Sequence, residues 1–259
     1  MLETYFDQTV LITLLFSAHI LGDFVFQTKN DVERKGDLLV LSKHSFLHAM
    51  LAYVFSGIWS LWLIPVVIFI THGLFDLTKD ALHHSFKKPL LLFLFDQAAH
   101  LIVIIGLVVS ISVFGQIPLQ SFWFEQLGTM FLTPLIIIIG IIVAVRVGGF
   151  IIGMAVQPYL LQINAEKEGN HKPTRGLEDG GKTIGYLERL LICLFILFNF
   201  PLGIGFLIAA KSVFRFGEVR NPENRKEAEY IIIGTFISFA YAIVIGYGVR
   251  WYVIVLSGM

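Results

Sequence analysis

The chain has 259 residues, of which 56% are hydrophobic and only 15% charged, with a mean hydropathy of +0.77 and a formal net charge of zero. Soluble globular domains carry about 25% charged residues, so the composition excludes an ordinary soluble domain and indicates a polytopic membrane protein. The balanced charge offers no argument for a nucleic-acid partner, and none is expected. The single Cys193 lies in an apolar run, which excludes a disulfide framework and a cysteine-based zinc motif.

Eight apolar segments are predicted to cross a membrane as helices, because a bilayer core requires about 20 apolar residues per helix. The predicted fold is therefore all-α. The first segment has no basic residues before it and is expected to be retained as a span. In the fifth, Gly149 and Gly153 have a spacing that favours close helix packing. The eight segments lie near 6–27, 43–60, 62–80, 89–114, 130–153, 183–199, 201–216 and 230–256.

Basic residues concentrate in the loops that follow odd-numbered spans, as at Lys29, Lys88, Lys172 and Arg225. Cytoplasmic loops carry an excess of Lys and Arg, so these loops are predicted to be cytoplasmic and both termini outside. The tryptophans fall at the predicted outer interface, where indole rings concentrate. They are Trp59, Trp62, Trp123 and Trp251.

An internal repeat relates the first two spans to the next two. A shift of 52 or 53 residues places His19 on His72, Asp23 on Asp76, His44 on Asp96 and His48 on His100. Residues four apart lie on one face of a helix, so each unit is a helical hairpin with a His-xxx-Asp pair followed by a second pair. Two such hairpins entering from one side predict a pseudo-twofold axis along the membrane normal.

All eight repeated positions lie in the cytoplasmic halves of their predicted spans, so four helices could bring them to one level. Imidazoles and carboxylates suit a borderline divalent metal, with zinc as first choice and manganese or iron as alternatives. Ionisable residues inside a membrane are functional candidates. The alternative is a set of buried His–Asp hydrogen bonds that hold the helices together without a metal. The predicted ligands are His19, Asp23, His48, His72, Asp76 and His100.

The two positions that differ between the repeats, His44 and Asp96, are predicted to be catalytic, for example as a general base. Gln27 and Gln97 are predicted to orient ligands or pack helices. A solvated or snorkelling helix end is the interpretation for the polar residues where the third span leaves the membrane. These are Lys79, Asp80, His83 and His84, and His171 is placed in a solvated loop.

The second half of the chain carries a different polar set near the cytoplasmic ends of spans five to eight. Two interpretations stay open: interhelical ion pairing, or a cationic wall that binds the phosphate or other anionic group of a substrate. The predicted substrate-binding residues are Glu188, Arg189, Lys211 and Arg215. The predicted domains, 1–128 with the repeat and 129–259 with this cluster, form one integrated membrane domain.

The pattern His19-xxx-Asp23-Phe24-xx-Gln27, His44-xxx-His48, His72-xxx-Asp76 and Asp96-Gln97-xx-His100 resembles the bacterial membrane family called domain of unknown function 3307. Later segments such as Gly185-Tyr186-Leu187-Glu188-Arg189 are similar to the C-terminal part of its longer members. The resemblance implies a bacterial inner-membrane protein and no settled activity. The His/Asp hairpins are more loosely similar to membrane proteins labelled metal-dependent hydrolases.

Three functions therefore remain as hypotheses. The first is an intramembrane metal-dependent hydrolase that acts near the cytoplasmic face on a membrane-delivered anionic substrate, such as a lipid phosphoester. The second is a transporter of a metal ion or proton, and the third is a membrane scaffold with a structural His/Asp cluster. The outer halves of spans one to four hold almost no ionisable residues, which counts against a polar route across the membrane.

Overall fold

A computed structural model describes residues 2–34, 36–83, 85–86, 88–114, 121–167, 179–219 and 225–257. Within these residues all regular secondary structure is helical, which confirms the all-α fold for the described part of the chain. The helices are α1 (Leu2–Leu21), α2 (Lys29–Glu33), α3 (Leu38–Ser56), α4 (Leu63–His83), α5 (Pro89–Phe114), α6 (Phe122–Leu127), α7 (Leu132–Ile142), α8 (Gly148–Lys167), α9 (Gly180–Leu197), α10 (Leu202–Val219) and α11 (Arg225–Ser257).

Two π-helical turns extend or join these helices. One, Gly22–Phe26, continues α1, and the other, Val143–Val147, connects α7 to α8. Each predicted apolar segment coincides with a helix. Five of the described helical segments are long and apolar enough to cross a membrane: Asp7–Phe26, Leu38–Ser56, Pro89–Phe114, Leu132–Ile163 and Lys226–Leu256. The count of eight spans stays a prediction.

The turn between α1 and α3 is built from side chains that cap helix ends. The Thr28 hydroxyl accepts from the Asp31 backbone N–H, and the Asp31 carboxylate accepts from the Thr28 backbone N–H, which is a capping box. The carboxylate of Asp37 accepts from the Leu39 N–H at the start of α3, and this hydrogen bond holds the pKa of Asp37 below its ordinary value. These capping interactions fix the start of α3 at Leu38.

The other end of α3 stops at Gly57, whose φ is 64°. A left-handed residue ends many helices, and glycine adopts it without a Cβ penalty. The Gly57 carbonyl accepts from the Phe122 N–H, and the Trp123 indole donates to the Val54 carbonyl. These bonds hold α6 against the end of α3, where Trp59 and Trp123 contact each other.

The chain divides into two compact units, and the division falls within α7, between Ile139 and Gly140. In the first unit, α1 and α4 each pack against both α3 and α5, so the four helices form a closed ring. One end of this ring is filled by an apolar core. Its members include Leu11, Leu15, Ala52, Ile64, Ile68, Ile104 and Val108.

The second unit is organised around α11, which packs against α8, α9 and the Val143–Val147 turn. Its core contains Ile192, Ile196, Ile204, Phe239 and Ala242. The predicted close packing at Gly149 is confirmed, because an added Cβ would lie 2.7 Å from the Tyr186 ring. At Gly153 the prediction is wrong: an added Cβ would have no atom within 4 Å, since the helix passes a cavity there.

Candidate metal centre

The four helices of the first unit bring all eight repeated His and Asp positions into one polar cluster. Seven of the residues are less than 9% exposed, and the side chain of Asp23 is 11% exposed. The His-xxx-Asp spacing works as expected, since His19 Nε2 lies 3.7 Å from Asp23 Oδ2 and His72 Nε2 lies 3.7 Å from Asp76 Oδ2. Helical periodicity therefore aims both pairs into the bundle.

Asp23 lies at the centre of the first ligand group. Its Oδ1 atom is 3.1 Å from His48 Nε2, 3.2 Å from His44 Nε2 and 3.7 Å from His72 Nε2. The four potential ligand atoms lie within 4.8 Å of one another. Three imidazoles and one carboxylate form a donor set that zinc accepts.

Two further groups meet the same distance criterion and share members with the first. One contains His19, His72 and His100, and the other contains Asp76, Asp96 and His100. Because His72 and His100 are shared, the groups are continuous. The cluster could therefore hold a metal ion in more than one position.

Several buried polar atoms of the cluster make no hydrogen bond, and this bears on whether the residues suit a cation. The Nε2 atoms of His48, His72 and His100 are buried and make no hydrogen bond, and Asp96 Oδ1 is in the same condition. Burying such atoms without a partner is unfavourable by roughly 1–3 kcal/mol each, and native proteins rarely leave them so. A metal ion among them would satisfy the nitrogens and the carboxylate together, so the residues fit a metal.

The histidine rings also stack on one another. The centroids of His48 and His72 are 3.7 Å apart, and those of His72 and His100 are 4.3 Å apart. The stacking therefore gathers three imidazole rings at one place, and imidazole is a common metal ligand.

Gln97 connects the ligand groups, as predicted for an orienting residue. Its amide nitrogen donates to Asp23 Oδ2 at 3.1 Å and to Asp96 Oδ2 at 3.2 Å, and its Oε1 atom lies 3.2 Å from His19 Nε2. Gln27 plays a smaller part, with its Nε2 atom 3.3 Å from His44 Nε2. Such partners of ligands set ring orientation and carboxylate position.

Lys79 corrects the prediction of a solvated helix end. Its Nζ atom donates to Asp96 Oδ2 at 2.6 Å, and its side chain is only 26% exposed. Lys79 follows His72 by seven residues and Asp76 by three, which places all three on one face of α4. This spacing in the sequence could have identified Lys79 as a neighbour of the cluster. Asp80 is exposed as expected, whereas His84, His171 and the His83 side chain lie outside the described residues.

The cluster is reached from one end of the bundle. A cavity of about 10 Å³ borders His19, His48, His72 and His100 on their apolar side, which is room for about one water molecule. Beyond it the ring is filled by the apolar core. Asp23, Gln27, Lys79 and Gln97 occupy the opposite end and are all partly exposed. Among the described residues, the partly exposed polar groups of the cluster therefore lie at the end of the bundle away from this core.

Part of the chain that contains this cluster matches a known protein family. Residues 10–131 match the model of the family described as "Protein of unknown function (DUF3307)". This matched stretch, here called the DUF3307 segment, covers a little under half of the chain. All eight clustered residues and Lys79 lie inside the DUF3307 segment, which confirms the resemblance drawn from the His and Asp pattern. No curated protein and no solved structure matches the chain.

The predicted substrate-binding residues lie beyond the DUF3307 segment, in the second unit. Lys211 Nζ donates to Glu188 Oε2 at 2.7 Å, so the predicted ion pairing is present. Arg189 donates to the Ser238 hydroxyl and to the Val145 carbonyl, both at 3.0 Å. The side chain of Arg215 lies outside the described residues. The structure thus brings Glu188, Arg189 and Lys211 around one cavity.

Proposed function

We propose that the chain is a membrane protein whose first unit binds one or two divalent metal ions and hydrolyses an anionic substrate delivered by the membrane. The observation that carries this proposal is that the Nε2 atoms of His48 and His72, which are buried and make no hydrogen bond, converge on the Asp23 carboxylate. Zinc is the first choice because imidazole and carboxylate donors suit it, with manganese and iron as alternatives.

A divalent ion held by these residues supplies Lewis acidity and lowers the pKa of bound water towards about 7. The proposed ligands remain His19, Asp23, His48, His72, Asp76 and His100. His44 contacts both Asp23 and Gln27 at the accessible end, which suits the proposed role of general base. Asp96 is paired with Lys79, so we propose that it positions the ammonium group as well as contacting the metal centre.

A lipid-borne phosphoester is the proposed substrate class. Five helices of membrane-spanning length support a location in a bilayer, and Lys79 supplies a cation near the accessible end of the cluster. Glu188, Arg189, Lys211 and Arg215 are proposed to bind an anionic group. The duplication of the helical hairpin, the eight spans, the bacterial inner membrane and the outside position of both termini are further parts of the proposal.

Transport of a metal ion or proton is less well supported. A transporter requires access from both faces, and the apolar side chains of Leu15, Ile64, Ile68 and Ile104 fill the bundle beyond the histidines. A purely structural cluster is the other alternative. The unpaired Nε2 atoms count against it, because a structural network would be expected to satisfy them.

Metal analysis of the purified chain is the deciding experiment. We expect about one to two ions per chain in the wild type. His72→Ala and Asp23→Asn should reduce the occupancy at least about tenfold, because each removes a donor from the central group. Asp80→Asn is the matched control, since it removes an exposed carboxylate one turn from Asp76 on the same helix.

The metal-loaded wild type should then hydrolyse at least one substrate in a panel of lipid phosphoesters and peptides, and His44→Ala should lose this activity while keeping the metal. Absence of metal, together with a melting temperature unaffected by chelators, would favour the structural alternative. Metal at full occupancy with no hydrolysis across the panel would remove the hydrolase assignment but retain the metal site.

A further inference from the structure

The second unit contains its own cavity of about 360 Å³. Its walls come from α8, α9, α10 and α11, and several wall positions are glycines: Gly149, Gly153, Gly181, Gly185 and Gly234. Small-molecule sites typically have volumes of about 300–1,000 Å³. At Gly153 and Gly181 an added Cβ would meet no atom within 4 Å, so these glycines border open space. The volume of the cavity is in the range of a ligand site.

Arg189 is a buried charge that lines this cavity. The residue is 3% exposed, and its Nε atom is enclosed without a hydrogen-bond partner. Its terminal nitrogens donate to a hydroxyl and a backbone carbonyl. Among the described residues, no carboxylate forms an ion pair with the guanidinium. A buried charge is unfavourable without a counter-ion.

The other two charged groups deep in the cavity neutralise each other, because Lys211 and Glu188 form an ion pair at 2.7 Å. Lys182 lies at the exposed edge, within 4.0 Å of Asp179. Among the described lining residues, Arg189 is therefore the buried positive charge that no ion pair neutralises. A ligand with an anionic group would neutralise this guanidinium.

Most of the remaining wall is apolar, with Ile152, Val156, Ile184 and Ile231 among the lining residues. Tyr186 adds an aromatic ring, whose centroid is 5.4 Å from the Arg189 guanidinium carbon. A ligand that matches this surface combines an anionic head with an apolar body. Arginine recognises phosphate oxygens particularly well, because its donors form a planar fork.

We propose that this cavity binds the phosphate group of an anionic amphiphile, with Arg189 as its charge partner and the isoleucine and valine side chains against its apolar part. A membrane lipid headgroup and free phosphate share this chemistry, and the lipid better matches the apolar walls. The proposal rests on the anion-binding role that the proposed function gives to Arg189 and specifies its ligand. It uses no residue of the first unit, so it does not require a metal there.

The test compares lipid binding to the full-length chain and its variants. The chain is placed in phosphatidylcholine nanodiscs with or without phosphatidylglycerol, and retained lipid is counted by native mass spectrometry after release into detergent. A third sample contains phosphatidylcholine with inorganic phosphate, and melting temperatures are measured for all three. We expect phosphatidylglycerol to be retained and to raise the melting temperature of the wild type.

Gly153→Phe is the decisive variant, because its Cβ enters open space and a phenyl ring there occupies the cavity. Gly248→Phe is its control, since that glycine also has open space but does not line the cavity. Arg189→Gln is paired with Arg250→Gln, which removes an arginine that bonds Asn199 and the Ile196 carbonyl elsewhere in the unit. We expect Gly153→Phe and Arg189→Gln to weaken phosphatidylglycerol binding at least about tenfold. The two control variants should bind it as the wild type does.

Equal retention of phosphatidylglycerol by the wild type and Gly153→Phe would overturn the proposal. Equal retention of phosphatidylcholine and phosphatidylglycerol would also overturn it, because no charge would then be selected. Stabilisation by inorganic phosphate that is lost in Gly153→Phe would support the phosphate site and identify free phosphate as its ligand. Failure of the metal analysis would leave these outcomes unchanged, so the two proposals are tested separately.

Discussion

At the scale of single residues, the candidate metal centre depends on side chains that hold the Asp23 carboxylate in place. His44 and Gln97 hydrogen-bond to its two oxygen atoms, while His48 and His72 approach without a hydrogen bond. Of these four, His48 and His72 belong to the ligand set predicted from the sequence, whereas His44 is predicted to be catalytic and Gln97 to orient ligands. Its amide nitrogen donates to the carboxylates of Asp23 and Asp96, so it holds the Asp23 carboxylate in place beside the histidines.

Gln97→Leu is predicted to lower the affinity for the metal by about 10–100-fold, because loss of such an orienting partner has an effect of that size. Isothermal titration of metal into the chelator-treated chain would measure it. Gln8→Leu is the control, since Gln8 makes a similar bond to Ser112 between the same two helices but away from the cluster. Equal affinities for the two variants would contradict the orienting role.

At the scale of elements, each unit has a π-helical turn beside its polar site. The turn Gly22–Phe26 carries Asp23, and the turn Val143–Val147 presents carbonyls that accept from Arg189 and Tyr241. Such turns widen the helix by one residue and are frequent at functional sites. The sequence predicts uninterrupted helices at both places, because local propensity does not distinguish a π turn from an α turn.

Gly22 allows the first π turn to approach the histidine cluster. A Cβ at this position would lie less than 3.0 Å from three atoms of the His48 ring. Gly22→Ala is therefore predicted to displace His48 and reduce metal occupancy severalfold, as metal analysis would measure. Gly106→Ala is its control, since an added Cβ there meets no atom within 4 Å. Normal occupancy in Gly22→Ala would show that His48 is not a ligand.

At the scale of the whole molecule, the two units each combine a packed apolar core with a polar site built from several helices. In the first unit the core and the cluster occupy opposite ends of one ring. This division follows from antiparallel neighbours: the apolar residues precede the histidine in α1 and α4 and follow it in α3 and α5. Among the described residues, this places the partly exposed polar groups at one end of the ring and the packed apolar core at the other.

Purified chain in liposomes is therefore predicted not to carry zinc across the bilayer. Vesicles loaded with a zinc-sensitive dye should show no signal above that of empty vesicles, and an ionophore should then give the full signal. The physical reason is the packed core beyond the histidines, which offers a hydrated ion no polar partners. A dye signal in the wild type that disappears in His72→Ala would establish transport instead of hydrolysis.

The sequence by itself determined the helical segments and the eight repeated His and Asp positions, because apolar length and four-residue spacing are local properties of the chain. It also led to the DUF3307 family through those residues. Only the tertiary structure placed Lys79 on Asp96 and produced the cavity at Gly153. It also left Arg189 without an ion pair to any carboxylate of the described residues. These features depend on which helices pack together and at what depth, and contacts between residues far apart in the chain decide both.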